Sequence, residues 1–329
     1  MRIACYHLNQ IGDLAFSLPA LRSIRHSFPD SVITSIARPN AVELLGCAGL
    51  VDEVLVRRDG FNSAKLELIR SLKERRFNLA IVFSQSAECA ILARLSGASE
   101  RIGFAGTSLG SLLTRRVDFF HPPSTENNLR LISEAGFSIT CRDYSGLLKP
   151  TADLIERGNR VLAENGIEIG EQLAALSPGT SGRRNVKVWT DEGFSEVGRH
   201  LTESDYRVVV LGAEPARGIV AGCPKIVDLG GRTNLGEALA ILARSRALIA
   251  VDSGILHLAA AAGTRVIGLY GPSNPRITGP QGQGHIVLTS GEDCSPCMRT
   301  ECKFERKCMT NIDVRRVIDA LDAVLHGDH

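Results

Sequence analysis

The chain has 329 residues, which is enough for two domains, and its 44% hydrophobic and 22% charged residues are typical of a globular protein. The formal net charge is only +2, and only 5% of the residues are aromatic. The sequence has no stretch in which basic residues are interleaved with aromatic ones, so we expect no nucleic-acid partner. The apolar stretches are much shorter than a membrane span, and Asn9, Gln10 and Asp13 interrupt any signal-peptide pattern. We therefore predict a cytoplasmic protein whose only membrane contact is peripheral.

Apolar, often β-branched runs alternate with segments of helical period, which predicts an α/β fold with parallel sheets. In the first half the predicted strands are 3–6, 32–37, 54–56 and 79–83, and the predicted helices are 14–26, 41–45 and 64–75. In the second half the predicted strands are 173–176, 207–211, 226–228, 247–251 and 266–270, and the predicted helices are 194–202, 235–243 and 255–262. A joint around a predicted helix at 152–164 separates domains 1–160 and 170–329.

The segment from 247 to 275 contains the strongest functional signal. A buried strand is followed by the turn Asp252-Ser253-Gly254, where a helix begins. Asp and Ser are good N-caps, Gly allows close approach of a ligand, and a helix N-terminus favours a phosphate group. His257, in the first turn of that helix, could add a donor. The alternative is an ordinary strand–helix–strand unit whose helix is merely capped.

Other motifs follow the same order as in a known family. They are G-D-L at 12–14, L-P-A-L at 18–21, P-G at 178–179, K-V-W at 187–189, G-R-T-N-L at 231–235 and G-P-S-N-P at 271–275. Together with the Asp252 turn, they make the chain resemble glycosyltransferase family 9, which contains the bacterial lipopolysaccharide heptosyltransferases.

The resemblance implies a fold and an activity. The fold is the GT-B architecture, two Rossmann-like domains facing a central cleft, with the acceptor on the N-terminal domain and the nucleotide-sugar on the C-terminal one. A final helix at about 312–325 often packs back on the N-terminal domain in this architecture. The implied activity is inverting transfer of a sugar, heptose from ADP-heptose, to a lipopolysaccharide core or another anionic saccharide or glycolipid. A transferase for other substrates, a nucleotide-sugar-binding protein without turnover and a GT-B-like epimerase remain alternatives.

Glycosyl transfer requires stabilisation of the leaving diphosphate. The sequence has no D-x-D motif, so we expect no cofactor for catalysis. The resemblance instead assigns this role to Lys187 and to the helix N-terminus at Ser253 and Gly254. Thr180 and Ser181, in the loop before Lys187, could add hydroxyl donors.

The acceptor hydroxyl also requires a base, and the rest of the donor requires a binding surface. Asp13 follows the first predicted strand and is the predicted base. It could instead cap a helix that begins near Leu14, and Asp252 is the alternative base. Glu214, after strand 207–211, and Thr233, before a helix, are predicted to bind the nucleoside part of the donor.

Four of the nine cysteines form a cluster near the C-terminus. Cys294, Cys297, Cys302 and Cys308 follow one another at intervals of three, five and six residues. In a cytoplasmic protein such a cluster favours a structural zinc ion over disulfides. The other cysteines are scattered, as expected for buried thiols.

Overall fold

The computed structural model describes residues 1–7, 10–59, 63–120, 123–179 and 185–326, and the chain divides into unit 1, Met1–Tyr144, and unit 2, Ser145–His329. The division comes earlier in the chain than the predicted joint between residues 160 and 170. The reason is packing, because the helix Ala152–Ala163 lies on the helix Leu235–Arg244 of unit 2. The Leu148 N–H also donates to the Ala261 carbonyl at 2.8 Å.

The described strands of unit 1 form one parallel six-stranded sheet in the order β3-β2-β1-β4-β5-β6. Strand β1 pairs with β2 on one side and with β4 on its other side. The sheet therefore has a topological switch point between β1 and β4, where side chains beyond the strand ends can contact a ligand. The elements are β1 Arg2–His7, α1 Ile11–Ser27, β2 Val32–Ala37, α2 Val42–Ala48, β3 Glu53–Val56, α3 Ser63–Glu74, β4 Leu79–Val82, α4 Ala87–Leu95, β5 Glu100–Phe104, β6 Arg115–Val117 and α5 Ser124–Glu134.

The described strands of unit 2 form a second parallel six-stranded sheet in the order β12-β11-β10-β7-β8-β9. Its switch point lies between β7 and β10, which pair directly with Ala250 opposite Ser177. The elements are α6 Ala152–Ala163, β7 Leu173–Ser177, α7 Asp191–Glu203, β8 Arg207–Val210, α8 Arg217–Gly222, β9 Val227–Asp228, α9 Leu235–Arg244, β10 Ala247–Val251, α10 Gly254–Ala262, β11 Arg265–Leu269, α11 Pro275–Thr278, β12 Ile286–Leu288, α12 Lys307–Thr310 and α13 Val314–His326.

The central strands have the sequences that burial on both faces requires. Both β7 and β10 are buried at every position and consist of small and branched apolar residues with one serine. The alternating α/β pattern and the parallel sheets predicted from the sequence are confirmed. No helix among the described residues is long and apolar enough to cross a membrane.

The final helix, α13, packs on its own unit. The sequence analysis allowed this helix to return to the first domain, but it lies on α7, β10, β11 and β12. Val317, Leu321 and Val324 join the core of unit 2, and the Arg265 guanidinium donates to the Val324 carbonyl. The apolar stripe of α13 is therefore used within unit 2.

Candidate functional site

The turn after β10 lies at the switch point of unit 2. Because β10 ends at Val251, Asp252 and Ser253 follow directly beyond its carboxyl end. Ser253 is the N-cap of α10, and its Oγ accepts the Leu256 N–H at 3.4 Å. Helix α10 runs from Gly254 to Ala262, and the residue after it, Gly263, adopts a φ of 90° that favours glycine. The predicted strand, cap and helix start are confirmed.

Lys187 reaches this turn from the connection between β7 and α7. A single 3-10 turn, Asn185–Lys187, precedes α7 and carries the side chain inward. Its Nζ lies 2.5 Å from Asp252 Oδ2, and His257 Nε2 lies 3.7 Å from Asp252 Oδ1. The structure thus brings Lys187 together with Asp252, 65 residues further along the chain, and with His257, and all three were predicted to contact the donor.

The three side chains are shielded from water. The exposed fractions are 13% for Lys187, 8% for Asp252 and 4% for His257. Burial alone would raise the pKa of the Asp252 carboxyl, but hydrogen bonding to His257 and the charge of Lys187 hold that pKa well below its usual range. Asp252 is therefore held as an ionised partner of Lys187.

Two loops at the carboxyl ends of β8 and β9 hold the other donor-site candidates. Glu214 is exposed on the first loop, and Thr233 is half-buried on the second. The Gly231 N–H donates to the Gly212 carbonyl at 2.9 Å and joins the two loops. Asp228, which the sequence analysis did not select, accepts backbone N–H groups from both loops, at 2.8 and 2.9 Å. Glu214 and Thr233 therefore lie on neighbouring loops.

Asp13 lies near the start of α1, the helix that follows the central strand β1 of unit 1. It is the third residue of α1, which begins at Ile11, three residues before the predicted start. The Gln10 N–H donates to Asp13 Oδ2 at 3.3 Å, and the residue is exposed. Asp13 therefore supports the helix N-terminus from inside the first turn and still presents a carboxylate to solvent.

The four clustered cysteines line one cavity in unit 2, together with Val186 and Pro272. All four are free thiols. Burial is the main cause that raises the pKa of the Cys308 thiol to about 11, and the nearby thiols of the other three cysteines add to the increase. Among the described residues, no three cysteine, histidine or acidic side chains already converge as metal ligands do. The predicted hydroxyl donors Thr180 and Ser181 lie outside the described residues.

Trp189, the single tryptophan, has a structural role. Its ring is buried against Phe194, with centroids 5.1 Å apart, and its Nε1–H donates to the Ile312 carbonyl. This packing anchors the chain immediately after Lys187. Taken together, the parallel sheets and the shielded lysine at a helix N-terminus define an α/β protein suited to binding an anionic ligand.

Comparison with known proteins agrees with this class. Residues 65–308 match the family model for glycosyltransferase family 9 (heptosyltransferase). Lipopolysaccharide heptosyltransferase 2 of Escherichia coli K12 is 26% identical over 345 residues, covering 99% of each chain. A crystal structure of a glycosyl transferase family 9 protein from Veillonella parvula has a TM-score of 0.85 at 22% identity, covering 99% of this chain and 97% of that one.

A second solved structure has the same fold. The E. coli ADP-heptose lps heptosyltransferase II has a TM-score of 0.81 at 22% identity, covering 99% of both chains. The chain belongs to glycosyltransferase family 9 and is a glycosyltransferase of the heptosyltransferase type. Its two Rossmann-like units have the GT-B architecture that the sequence predicted.

Proposed function

We propose that the enzyme transfers heptose from ADP-heptose to a saccharide of the lipopolysaccharide core, with inversion at the anomeric carbon. The similar proteins are named for this donor and this acceptor class. The observation that carries the proposal is the contact of Lys187 with Asp252 at the N-terminus of α10. This arrangement supplies a cation and free backbone N–H groups where a leaving diphosphate needs them.

Charge stabilisation is the first role in the proposed reaction. A lysine ammonium has three N–H donors, and the 2.5 Å contact with Asp252 uses one of them. The remaining donors suit phosphate oxygens, whose negative charge grows as the bond to the sugar breaks. Because Asp252 already holds the flexible lysine in place, little reorganisation is needed during the reaction. The α10 N-terminus and His257 add further favourable interactions.

Proton transfer is the second role, which we assign to Asp13. The acceptor oxygen forms a bond to the anomeric carbon while the bond from that carbon to the diphosphate oxygen breaks. The acceptor hydroxyl proton passes to the Asp13 carboxylate, and ADP leaves with the bonding electron pair. An exposed carboxylate can meet an acceptor hydroxyl directly, whereas Asp252 is shielded and paired with Lys187.

The nucleoside part of the donor is assigned to Glu214 and Thr233. Their loops lie at the carboxyl end of the same sheet that carries Asp252, which is the usual edge for nucleotide binding. An acceptor anchored in a glycolipid would bring the enzyme to a membrane surface. Peripheral association with the cytoplasmic face of the inner membrane is therefore part of the proposal.

The test uses a panel of nucleotide-sugars without added metal. ADP-heptose should raise the melting temperature more than UDP- or GDP-sugars, since binding at 100 times Kd adds about 2.7 kcal/mol to the free energy of unfolding. ADP release should then require an acceptor from the lipopolysaccharide core. A larger increase in melting temperature with another nucleotide-sugar would identify that compound, and not ADP-heptose, as the donor. Donor binding without turnover on any core acceptor would overturn the transfer reaction.

A further inference from the structure

The segment that carries the four clustered cysteines has backbone features suited to sulfur ligands. The N–H groups of Phe304 and Arg306 point at Cys302 Sγ, at 3.4 and 3.3 Å. Met298, directly after Cys297, has a φ of 56°, and Arg306 has a φ of 59°. Left-handed conformations are unfavourable for such side chains, so the surrounding structure must hold them there. Hydrogen bonds to the sulfur are part of the surroundings of metal-bound cysteines.

The same segment contacts the loops around the leaving-group lysine. The Arg306 guanidinium donates from Nη1 to the carbonyls of Asn185 and Val188, at 3.1 and 3.3 Å. These two carbonyls lie on either side of Lys187 in the chain. On the other flank of the segment, the Met298 N–H donates to the Pro272 carbonyl at 2.8 Å.

Cys308 fits closely beneath the loop that begins at Gly271. A Cβ added at Gly271 would lie 2.9 Å from Cys308 Sγ, so this glycine permits the close approach of the buried cysteine. The cysteine segment therefore packs against the Gly271 loop and, through Arg306, against the Lys187 turn. A change that makes the cysteine segment more mobile should therefore also make the turn that carries Lys187 more mobile.

We propose that Cys294, Cys297, Cys302 and Cys308 bind one thiophilic metal ion, and that the metal-bound segment positions the Lys187 turn through Arg306. Four thiolates form a closed tetrahedral set, which suits a structural ion. Because no three of these side chains already converge among the described residues, binding requires the side chains to rotate around the ion. The importance of Lys187 rests on the proposed function, whereas the metal site does not.

The first experiment measures metal in the full-length protein, purified under reducing conditions without chelators. We expect about one zinc ion per chain, and iron at the same stoichiometry would support the same site with a different ion. Cys297→Ser and Cys302→Ser should lose the metal. Cys141→Ser, a free cysteine outside the cluster, should retain it. Protein without a transition metal, or cluster variants that keep it, would overturn the site.

The second experiment tests the link to Lys187 by hydrogen exchange, a readout that needs no sugar substrate. Arg306→Ala should keep the metal but show faster amide exchange at residues 186–188. Arg315→Ala, which changes an exposed arginine on α13, is the control and should alter neither the metal content nor the amide exchange at residues 186–188. Exchange at 186–188 as slow in Arg306→Ala as in the unmodified protein would overturn the positioning role.

A third measurement separates positioning from general loss of structure. Arg306→Ala should weaken ADP binding several-fold in calorimetry, and Arg306→Lys should weaken it less because a lysine can still donate to one carbonyl. Equal loss in both variants, together with a lower melting temperature, would indicate a merely structural role and would contradict the proposal.

Discussion

Two aspartates lie near the switch points of the two sheets but have opposite surroundings. Asp252 lies between the carboxyl end of β10 and the N-cap of α10, and Asp13 lies within the first turn of α1, the helix that follows β1. Asp13 is exposed and accepts a backbone N–H, whereas Asp252 is 8% exposed and paired with Lys187. A carboxylate near the switch point of a sheet can therefore be exposed to solvent or be buried and paired with a cation.

The difference supports the separate chemical roles that we propose for the two carboxylates. A general base must reach the proton it removes, which an exposed carboxylate can do. A buried carboxylate held ionised by a neighbouring cation is a poor proton acceptor, because protonation would leave that cation unpaired.

The largest expected effect is on turnover, in the variant Asp13→Asn. The amide keeps the shape and can still accept the Gln10 N–H, so the start of α1 should remain folded. Loss of the base should lower kcat by about 10²–10⁴, the usual contribution of general-base catalysis, with ADP affinity nearly unchanged. Steady-state rates and calorimetry on the same preparation provide the test. Turnover near that of the unmodified enzyme would make Asp13 a helix-capping residue only.

Lys187→Ala should lower kcat by about 10²–10³, the range for removal of one preorganised donor to a developing negative charge. The loss should appear in the chemical step more than in the KM for donor, because the charge on the diphosphate grows as it leaves. Lys225→Ala, at an exposed lysine of the same unit, is the matched control. Full turnover by Lys187→Ala would remove this lysine from the mechanism.

Asp252→Asn should mainly reduce stability. Removing one partner of a buried pair costs about 3–5 kcal/mol, with a smaller loss expected here because Lys187 keeps some exposure. The depressed pKa of Asp252 means that its stabilising contribution is present above about pH 3.9 and is lost as the pH falls further. The difference in melting temperature between the two proteins should therefore be constant from pH 7 to about pH 4 and begin to narrow between about pH 4 and pH 3, and a difference that does not narrow there would contradict the pairing.

His7, at the end of β1, should affect stability over a different pH range. Burial lowers the pKa of this histidine to about 3, and its ring stacks on Phe83. The unfolded chain binds a proton near pH 6.5 while the folded protein does not, so stability should fall as the pH decreases from about 6.5 to 3. The slope is at most about 1.4 kcal/mol per pH unit.

His7→Phe should flatten this acid dependence, since it removes the titrating group and keeps an aromatic ring beside Phe83. The exposed His26→Gln is the control and should leave the dependence unchanged. Identical acid dependence in His7→Phe and the unmodified protein would show that other groups destabilise the fold at low pH.

The sequence predicted local features better than contacts between distant segments. The strand before Asp252, the cap at Ser253 and the helix that follows it were predicted from apolar runs and capping preferences over short distances. The contact between Lys187 and Asp252 joins residues 65 positions apart, and no local pattern encodes it. The family motifs indicated that both residues belong to one site, but not that they form an ion pair.

Long-range packing explains the other differences. Helix α6 belongs to unit 2 because of its contact with α9, and α13 belongs there because its apolar stripe completes that core. The short strand β6, Arg115–Val117, was not predicted, since two of its three residues are exposed arginines and its pairing with β5 defines it. The roles of Asp228 and Arg306 likewise depend on loops that only the fold brings together.

The most direct test of the contrast between the two aspartates is chemical rescue by a small carboxylate. Asp13→Ala and Asp252→Ala would each be assayed for turnover over a series of formate concentrations, after donor binding has been confirmed. Formate should accelerate Asp13→Ala in proportion to its concentration, because it can enter an exposed site and take the acceptor proton, and it should leave Asp252→Ala unchanged. Acceleration of Asp252→Ala by formate would contradict the assignment of Asp13 as the base. So would the absence of acceleration in an Asp13→Ala variant that is folded and binds the donor.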